Sequence, residues 1–270
     1  MDSRASIISE IFPTKRIVIV GDLVADQFLH GTIARVSREA PVFILRHDET
    51  DTRPGAAANA AANIASLGST PVLIGVVGND ENGRLLLDRL KADGVDPSGI
   101  VTDPARKTTT KVRVLAGQHY AARQQVIRID YENSADIESE IRAQLFANFA
   151  AAAENADAII ISDYNYGVAD KQLFEHAMSV LKSKAIPLLI DSRFRLAEFP
   201  GATTATPNQD EVEQLLGTDF SEKRCSRLRE TLGLESLVVT CGNKGMLLFE
   251  EDKESVSLPA VGGIEPVDVT

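Results

Sequence analysis

The order of apolar runs in the second half of the chain constrains its fold most, because helical and extended patterns alternate there with short polar joints. The periodicity predicts helices over 138–153, 171–184, 210–216 and 221–232. Between them, short apolar runs predict strands over 158–163, 187–191, 203–206, 237–240 and 246–249. Strands separated by helices in this way specify a parallel sheet with helices on both faces. The first half supplies two more strands of the same kind. Arg16-Ile17-Val18-Ile19-Val20 is a β-branched run ending in Gly21-Asp22, and a second buried run covers 71–77. Such runs, apolar on both sides, suit central strands. An amphipathic helix over 81–93 carries Leu86, Leu87 and Leu90 on one side and stops at Gly94. Residues 1–15 read as a leading helix or loose arm.

Other segments do not fit the layered sheet. Extended pieces over 27–33 and 42–47, and again over 108–115 and 125–130, alternate polar with apolar residues as strands with one exposed face do. These lid strands, drawn from about 27–50 and 108–130, predict a small separate sheet of about four strands over one side of the main domain. Such a sheet over a cleft is a candidate lid or dimer surface.

The stretch Arg53-Pro54-Gly55-Ala56-Ala57-Ala58-Asn59 through Gly68 reads as a turn and then a slim, alanine-rich helix. Asn59 and Asn63 lie four residues apart and share a helix face. Burying an amide without partners is costly, so either neighbouring loops satisfy both or the Asn59 end faces a polar ligand.

The 44% hydrophobic and 25% charged fractions over 270 residues are those of a globular domain. A net charge of -11 argues against nucleic acid as a partner, since phosphate neutralisation needs clustered Lys and Arg. No apolar run approaches membrane-spanning length, and no signal-peptide pattern opens the chain, so a cytoplasmic setting without membrane association is expected. Cys225 and Cys241 lack metal-type spacing, and His30, His47, His119 and His176 are scattered.

In open α/β sheets, ligands bind beyond the carboxyl ends of the strands. Those ends are polar here: Gly21-Asp22, Ser162-Asp163, Asp191, Thr206-Pro207-Asn208 and Thr240-Cys241-Gly242. One such residue is ordinarily a helix cap. Five together suit a sugar, a metal ion and phosphates better than an apolar ligand. The P-loop and the GxGxxG dinucleotide fingerprint are both absent. Gly242-Asn243-Lys244-Gly245 joins two short strands, either as an ordinary hairpin turn or as a loop bringing backbone N–H groups to phosphate.

Five segments together carry a family resemblance: Val20-Gly21-Asp22-Leu23-Val24-Ala25-Asp26, Arg53-Pro54-Gly55-Ala56-Ala57-Ala58-Asn59, Ser162-Asp163-Tyr164, Thr206-Pro207-Asn208-Gln209-Asp210-Glu211 and Val239-Thr240-Cys241-Gly242-Asn243-Lys244-Gly245. In this order the chain resembles the ribokinase (PfkB-type) sugar kinases from about residue 16 to 270. Val36-Ser37-Arg38-Glu39-Ala40-Pro41-Val42, Thr110-Lys111-Val112-Arg113-Val114-Leu115 and Ile127-Arg128-Ile129-Asp130-Tyr131-Glu132 look most like the heptose 7-phosphate kinase module of ADP-heptose synthesis.

The resemblance implies a ribokinase-like α/β fold, a doubly wound and mostly parallel sheet with a β-sheet lid, spanning 1–270 as one kinase domain. It implies ATP and Mg²⁺ as cofactors and a small-molecule sugar phosphate as partner; the lid strands themselves suggest a homodimer. Asp26, Gly55 and Asn59 match positions that hold sugar hydroxyls. Ala56 stands where the family commonly shows a second glycine, placing a methyl group near the sugar. Asn208 and Glu211 match the NxxE pair that organises Mg²⁺ through water, and Thr240, Gly242 and Gly245 match nucleotide-phosphate contacts. Asp163 lies either on the phosphate path or as a structural cap. Arg193 falls where the subgroup usually carries Lys within Asp-Pro-Lys-Gly, with the nucleotide as its expected partner. Lys111, Arg113 and Arg128 either reach a substrate phosphate from the lid or are exposed strand charges.

The chain ends at Val267-Asp268-Val269-Thr270, where the family continues into Gly-Ala-Gly-Asp. That segment supplies an anion hole and the aspartate that takes the hydroxyl proton. The catalytic aspartate is therefore expected beyond Thr270 and the kinase domain is expected to be C-terminally incomplete, with negligible activity for the 270 residues alone. The alternatives are another sugar or nucleoside kinase, or a non-catalytic sugar- or nucleotide-binding homologue.

Overall fold

The computed structural model describes residues 7–117, 123–133, 136–217 and 220–261. Nine strands form the main sheet: β1 (Arg16–Gly21), β4 (Thr70–Gly78), β5 (Ile100–Asp103), β8 (Ala158–Asp163), β9 (Leu188–Ser192), β10 (Thr204–Ala205), β11 (Ser236–Thr240), β12 (Met246–Glu250) and β13 (Val256–Leu258). Their order is β13-β12-β11-β10-β9-β8-β1-β4-β5, parallel from β11 to β5, with β12 antiparallel to both of its neighbours. The helices are α1 (Ala57–Ser66), α2 (Glu81–Ala92), α3 (Ser139–Ala153), α4 (Lys171–Leu181), α5 (Gln209–Leu216) and α6 (Glu222–Leu232).

The central strand explains the layering. Ile17 and Ile19 enter one apolar cluster with α1 and α2, while Val18 and Val20 enter the other with α3 and α4. Period-2 alternation thus puts branched side chains on both faces of β1 and buries all of it after Arg16. From β1 the chain runs outward to β4 and β5, then returns to β8 on the other side of β1. β1 and β8 therefore flank the topological switch point, where such sheets bind ligands.

A second, four-stranded sheet is ordered β3-β2-β6-β7, from β2 (Leu23–Val36), β3 (Phe43–Ala56), β6 (Thr110–Gly117) and β7 (Gln124–Tyr131). Its register pairs Asp26 with both Arg53 and Lys111, Arg113 with Arg128, and Lys111 with Asp130. Because partners in register share a face, these charges occupy one side. The other side carries Ile127 and Ile129 opposite Val114 and Val112. The expected lid is present, with a charged face toward the main sheet and an apolar face away from it.

Several details differ from the sequence expectations. Arg53–Ala56 is not a turn but the end of β3. Pro54 is tolerated because β3 is an edge strand, where a missing N–H breaks no ladder. Strands β5 and β13 were not expected; both are short, and their sequences carry no clear alternation. The fourth helix ends at Leu181 rather than 184. Residues 7–14 form two single helical turns, Ile7–Ile11 and Phe12–Thr14, rather than a leading helix. His119 and the terminal segment 262–270 lie outside the described residues.

Candidate active site

A cleft of about 850 Å³ opens between the lid and the carboxyl ends of the main strands. Asp26, Arg53, Gly55, Ala56, Asn59, Lys111 and Arg113 line one part of it, and Tyr164, Asp191, Arg193, Asn208 and Glu211 line another. A second chamber of about 690 Å³ adjoins it, sharing Lys111, Arg128, Tyr164 and Arg193. Ten of the expected site residues thus meet in one cavity: Asp26, Gly55, Ala56, Asn59, Lys111, Arg113, Arg128, Arg193, Asn208 and Glu211.

Asp26 is set by its partners. Its Oδ1 accepts from Arg113 Nη1, and both side chains are about nine-tenths buried. Phe28 supports this pair from below, with the Arg113 guanidinium 5.4 Å and the Arg53 guanidinium 4.9 Å from its ring centroid. Gly55 lies against the same carboxylate, and a Cβ there would occupy the position of Asp26 Oδ2. A glycine is required here by close approach rather than by a turn. Beside it, Ala56 holds φ 54° and ψ -130°, a backbone conformation that glycine adopts freely and alanine does not. Ala56 is the N-cap of α1 and supplies no side-chain acceptor. Asn59, one turn into α1, is exposed on the cleft wall, whereas Asn63 is exposed elsewhere and lines no part of it.

Lys111 and Arg113 are not exposed strand charges. Both are over nine-tenths buried, because the lid face that carries them folds over the cleft. Arg128 is exposed and takes a paired contact with Asp130, at 2.9 and 3.0 Å. The Lys111 ammonium lies 5.7 Å from the Tyr166 ring centroid. Burial holds its pKa below the usual lysine range, with Asp130 opposing and Arg193 and Arg128 reinforcing the shift.

At the other end, Asn208 and Glu211 form a reciprocal capping box at the start of α5. Glu211 N–H donates to Asn208 Oδ1 at 2.9 Å, and Asn208 N–H donates to Glu211 Oε2 at 2.8 Å. This arrangement follows from the Asn-x-x-Glu spacing. It leaves one carboxylate oxygen of Glu211 free toward the cleft. Burial raises the Glu211 pKa, and burial together with the Glu211 charge pushes the Asp191 carboxyl up to about 6. Among the described residues no three His, Cys, Asp or Glu form a closed metal cage. Mg²⁺ is held through one or two carboxylates plus water and phosphate, so Glu211 with neighbouring Asp191 and Asn208 fits it by donor type.

Four of the expected contacts do not line either chamber. Asp163 is buried and lines neither chamber. Its carboxylate accepts from Arg195 Nη2 at 2.5 Å, Ser192 Oγ at 2.7 Å and Asn165 N–H at 2.9 Å, so it acts as the structural cap. Gly242 and Gly245 lie in the hairpin turn between β11 and β12 and do not line the cleft. A Cβ on Gly245 would fall 2.7 Å from Ala260 N, so that glycine serves packing. Thr240 is bridged to Asn208 and reaches the cleft edge only through it.

Other residues that shape the cleft were given no site role from sequence. Asp22, fully buried, accepts the backbone N–H groups of Tyr164, Tyr166 and Val168 at 2.8, 3.0 and 2.9 Å. It thereby fixes the loop that carries Tyr164 into the cleft. Burial raises the Asp22 pKa against those three donors. Burial also pushes the Tyr164 phenol up to about 12, which keeps it a proton donor at neutral pH. Arg195, two residues after Arg193, is the cation that neutralises Asp163. Asp22 and Tyr164 were marked in the sequence by polar strand ends and by two of the segments that carry the resemblance, without a role assigned to either, and nothing marked Arg195.

A family model described as pfkB family carbohydrate kinase matches residues 15–270. Bifunctional protein HldE of Azorhizobium caulinodans is 35% identical over 250 residues, covering 90% of this chain and 51% of that protein. The protein of the same name from Geobacter sulfurreducens is 36% identical over 259 residues, covering 94% and 52%. The chain therefore spans about half the length of the curated relatives it matches. Among solved structures, Arabidopsis thaliana ribokinase complexed with ribose and ATP superposes with a TM-score of 0.67 at 18% identity, covering 95% of this chain and 81% of that one. Phosphofructokinase-2 from Escherichia coli in complex with fructose-6-phosphate gives 0.68 at 18% identity, covering 92% and 81%. At such identity these two likenesses establish the fold.

Proposed function

The chain belongs to the pfkB family of carbohydrate kinases, and from that premise we propose that it phosphorylates D-glycero-D-manno-heptose 7-phosphate at the anomeric hydroxyl, using ATP and Mg²⁺. One observation carries this reading. Hydroxyl-binding groups (Asp26, Asn59) and a carboxylate–amide pair suited to Mg²⁺ and phosphates (Glu211, Asn208) line a single cleft at the switch point of the sheet. The heptose assignment is supported by the lid segments and by the relatives named HldE.

Asp26, held in place by Arg113, and Asn59 would take paired hydrogen bonds from sugar hydroxyls. Tyr164 would donate into the cleft from its anchored loop. Glu211 would hold the metal, with Asn208 acting through water; when bound, Mg²⁺ supplies neutralisation of the nucleotide phosphates. Thr240, beside Asn208, lies nearest the expected phosphate path, and Arg193 faces the same cleft as an exposed cation. Catalysis of this kind rests on positioning and on stabilising the charge of the transferred phosphoryl group. The apolar outer face of the lid, with Phe43, Ile127 and Tyr131 more than half exposed, supports a homodimer through the lid strands. Among the described residues no helix is long and apolar enough to cross a membrane, and a cytoplasmic setting suits ATP as donor.

ADP release by the protein carrying this chain, measured across a sugar panel, tests the reading. Turnover of heptose 7-phosphate in preference to ribose, fructose and fructose 6-phosphate is expected. Turnover of any of those three in preference would replace the heptose, and ATP-independent binding with no turnover of any sugar would favour a non-catalytic homologue.

A further inference from the structure

The loop after β8 is held from both of the bodies between which it runs. On the main-sheet side, the Asp22 carboxylate gathers the backbone N–H groups of Tyr164, Tyr166 and Val168. The Asp22 N–H donates to Ser162 O at 3.1 Å, and Asp22 O accepts from Ala57 N–H, in the first turn of α1, at 3.0 Å. One buried residue thereby fixes the loop relative to the helix that carries Asn59. On the lid side, Tyr166 Oη donates to Glu132 Oε1 at 2.8 Å, one residue past the end of β7. Burial first, and then the Glu132 carboxylate, raise the Tyr166 pKa, so the phenol stays a donor. Arg106 Nη2 donates to Tyr166 O at 2.9 Å, and the Tyr166 ring faces Lys111 on β6. Between the two tyrosines, Asn165 holds φ 64°, a left-handed conformation that asparagine tolerates better than most residues, and its N–H is taken by Asp163 Oδ1. Tyr164 lines both chambers and Tyr166 lines the second. From α2, the Asn82 amide ties the lid strands β2 and β6 together through Gln27 and Thr110, at 2.9 and 3.0 Å. The lid is thus held by an amide from α2 and by a phenol–carboxylate bond from the β8 loop.

We propose that Tyr166 and Glu132 are positioning residues, whose hydrogen bond sets the lid against the β8 loop so that Tyr164 and strand β6 face one acceptor. Neither side chain needs to touch the acceptor for this. The loop is rigid on its Asp22 side, so the phenol acts as a fixed post to which the end of β7 is fastened. Without that bond both bodies keep their own folds, and the acceptor must supply the ordering that the bond supplies now. The effect falls on one substrate, because Asn208 and Glu211 are carried on α5 and do not depend on the lid. The part that concerns the acceptor rests on the sugar-kinase reading; the link between lid and loop does not.

Steady-state kinetics and amide hydrogen exchange on the protein carrying this chain test it together, with Tyr166→Phe, Glu132→Ala, Glu132→Gln and the double variant Tyr166→Phe with Glu132→Ala. Glu132 is exposed and Tyr166 half-buried, so each variant is expected to fold. Tyr166→Phe and Glu132→Ala should each raise the KM for heptose 7-phosphate about 5- to 20-fold, the lower range for loss of a hydrogen bond to a charged group, with the KM for ATP and kcat changed less than about twofold. Glu132→Gln keeps an acceptor for the phenol and should stay within about threefold of the wild type. The double variant should be no worse than either single one, because both remove the same bond. In the sugar-free protein, amide exchange over 164–168 should quicken about 5- to 20-fold in Tyr166→Phe and Glu132→Ala but not in Glu132→Gln. Unchanged exchange in the first two overturns the link, whatever the substrate. Quickened exchange with an unchanged acceptor KM overturns the positioning role, as does an equal rise in the KM for ATP or a double variant whose effect is the product of the two. Quickened exchange in a protein that turns over no sugar leaves the link standing and refutes the kinase reading, so the two can fail separately.

Discussion

Replacing Ala56 with glycine should stabilise this protein, although alanine to glycine inside a helix ordinarily does the reverse. Ala56 adopts φ 54° and ψ -130°. A left-handed backbone costs a residue with a Cβ roughly 1–2 kcal/mol, which glycine does not bear. Ala56 is also an N-cap, where glycine is preferred over alanine by about 0.5–1 kcal/mol. Against this, glycine adds freedom to the unfolded chain, a loss of about 0.4–1 kcal/mol. The net is a gain of roughly 1–2 kcal/mol, or a rise in Tm of about 3–6 °C for a chain of this size. Differential scanning fluorimetry and urea unfolding would measure it, with Ala57→Gly as control. Ala57 is buried in the first turn of α1, and glycine there should lower stability by about 1 kcal/mol. The same Ala56→Gly change frees the joint between β3 and α1, so sugar affinity should fall while stability rises. An unchanged or lowered Tm for Ala56→Gly would refute the assigned strain.

Arg113→Met leaves Asp26 buried without its partner and should cost about 3–5 kcal/mol in urea unfolding. Combining it with Asp26→Asn should recover part of that loss; additivity within about 0.5 kcal/mol would show that the pair is not coupled. Asp191, with its folded pKa raised to about 6 from 3.8, holds its proton longer in the native state than in the unfolded one. Its stabilising contribution is therefore present below pH 3.8 and lost as pH rises through 6, and Asp191→Asn measured with EDTA should flatten that decline. Light scattering should give a dimer that Ile127→Glu with Phe43→Glu converts to a folded monomer; a monomeric wild type would remove the lid interface.

Local pattern made the layered sheet legible, because β1, β4, β8 and β9 are buried runs and α2 to α6 have apolar stripes or caps that period alone reveals. The lid was legible for a related reason: alternation in β6 and β7 follows the two unlike faces of that sheet. Short edge strands were not, since β5 and β13 have too few residues to show a period. The end of β3 was misread as a turn because Pro54 and Gly55 signal one locally, while the sheet edge and the Asp26 carboxylate decide their actual role. At the site, residues that meet the cleft through their own strand or helix, such as Asp26, Asn59 and Asn208, stood out from spacing and resemblance. Residues defined by partners far along the chain did not. Nothing in Arg193-Phe194-Arg195 tells which arginine is spent on Asp163, and nothing around Asp22 shows that it gathers three backbone N–H groups 142 to 146 positions later. Burial of Lys111 and Arg113 likewise depends on the lid folding over, which strand pattern alone leaves open.

On the proposed reading, this cleft transfers phosphate to the anomeric oxygen of a heptose already phosphorylated at its far end. The direct measurement is phosphorus NMR of the product formed from heptose 7-phosphate, ATP and Mg²⁺ by the protein carrying this chain. A second phosphorus signal coupled to the anomeric proton, with the original phosphomonoester retained, is predicted. A new phosphate at any other position, or an unchanged heptose 7-phosphate alongside turnover of another sugar, would contradict it.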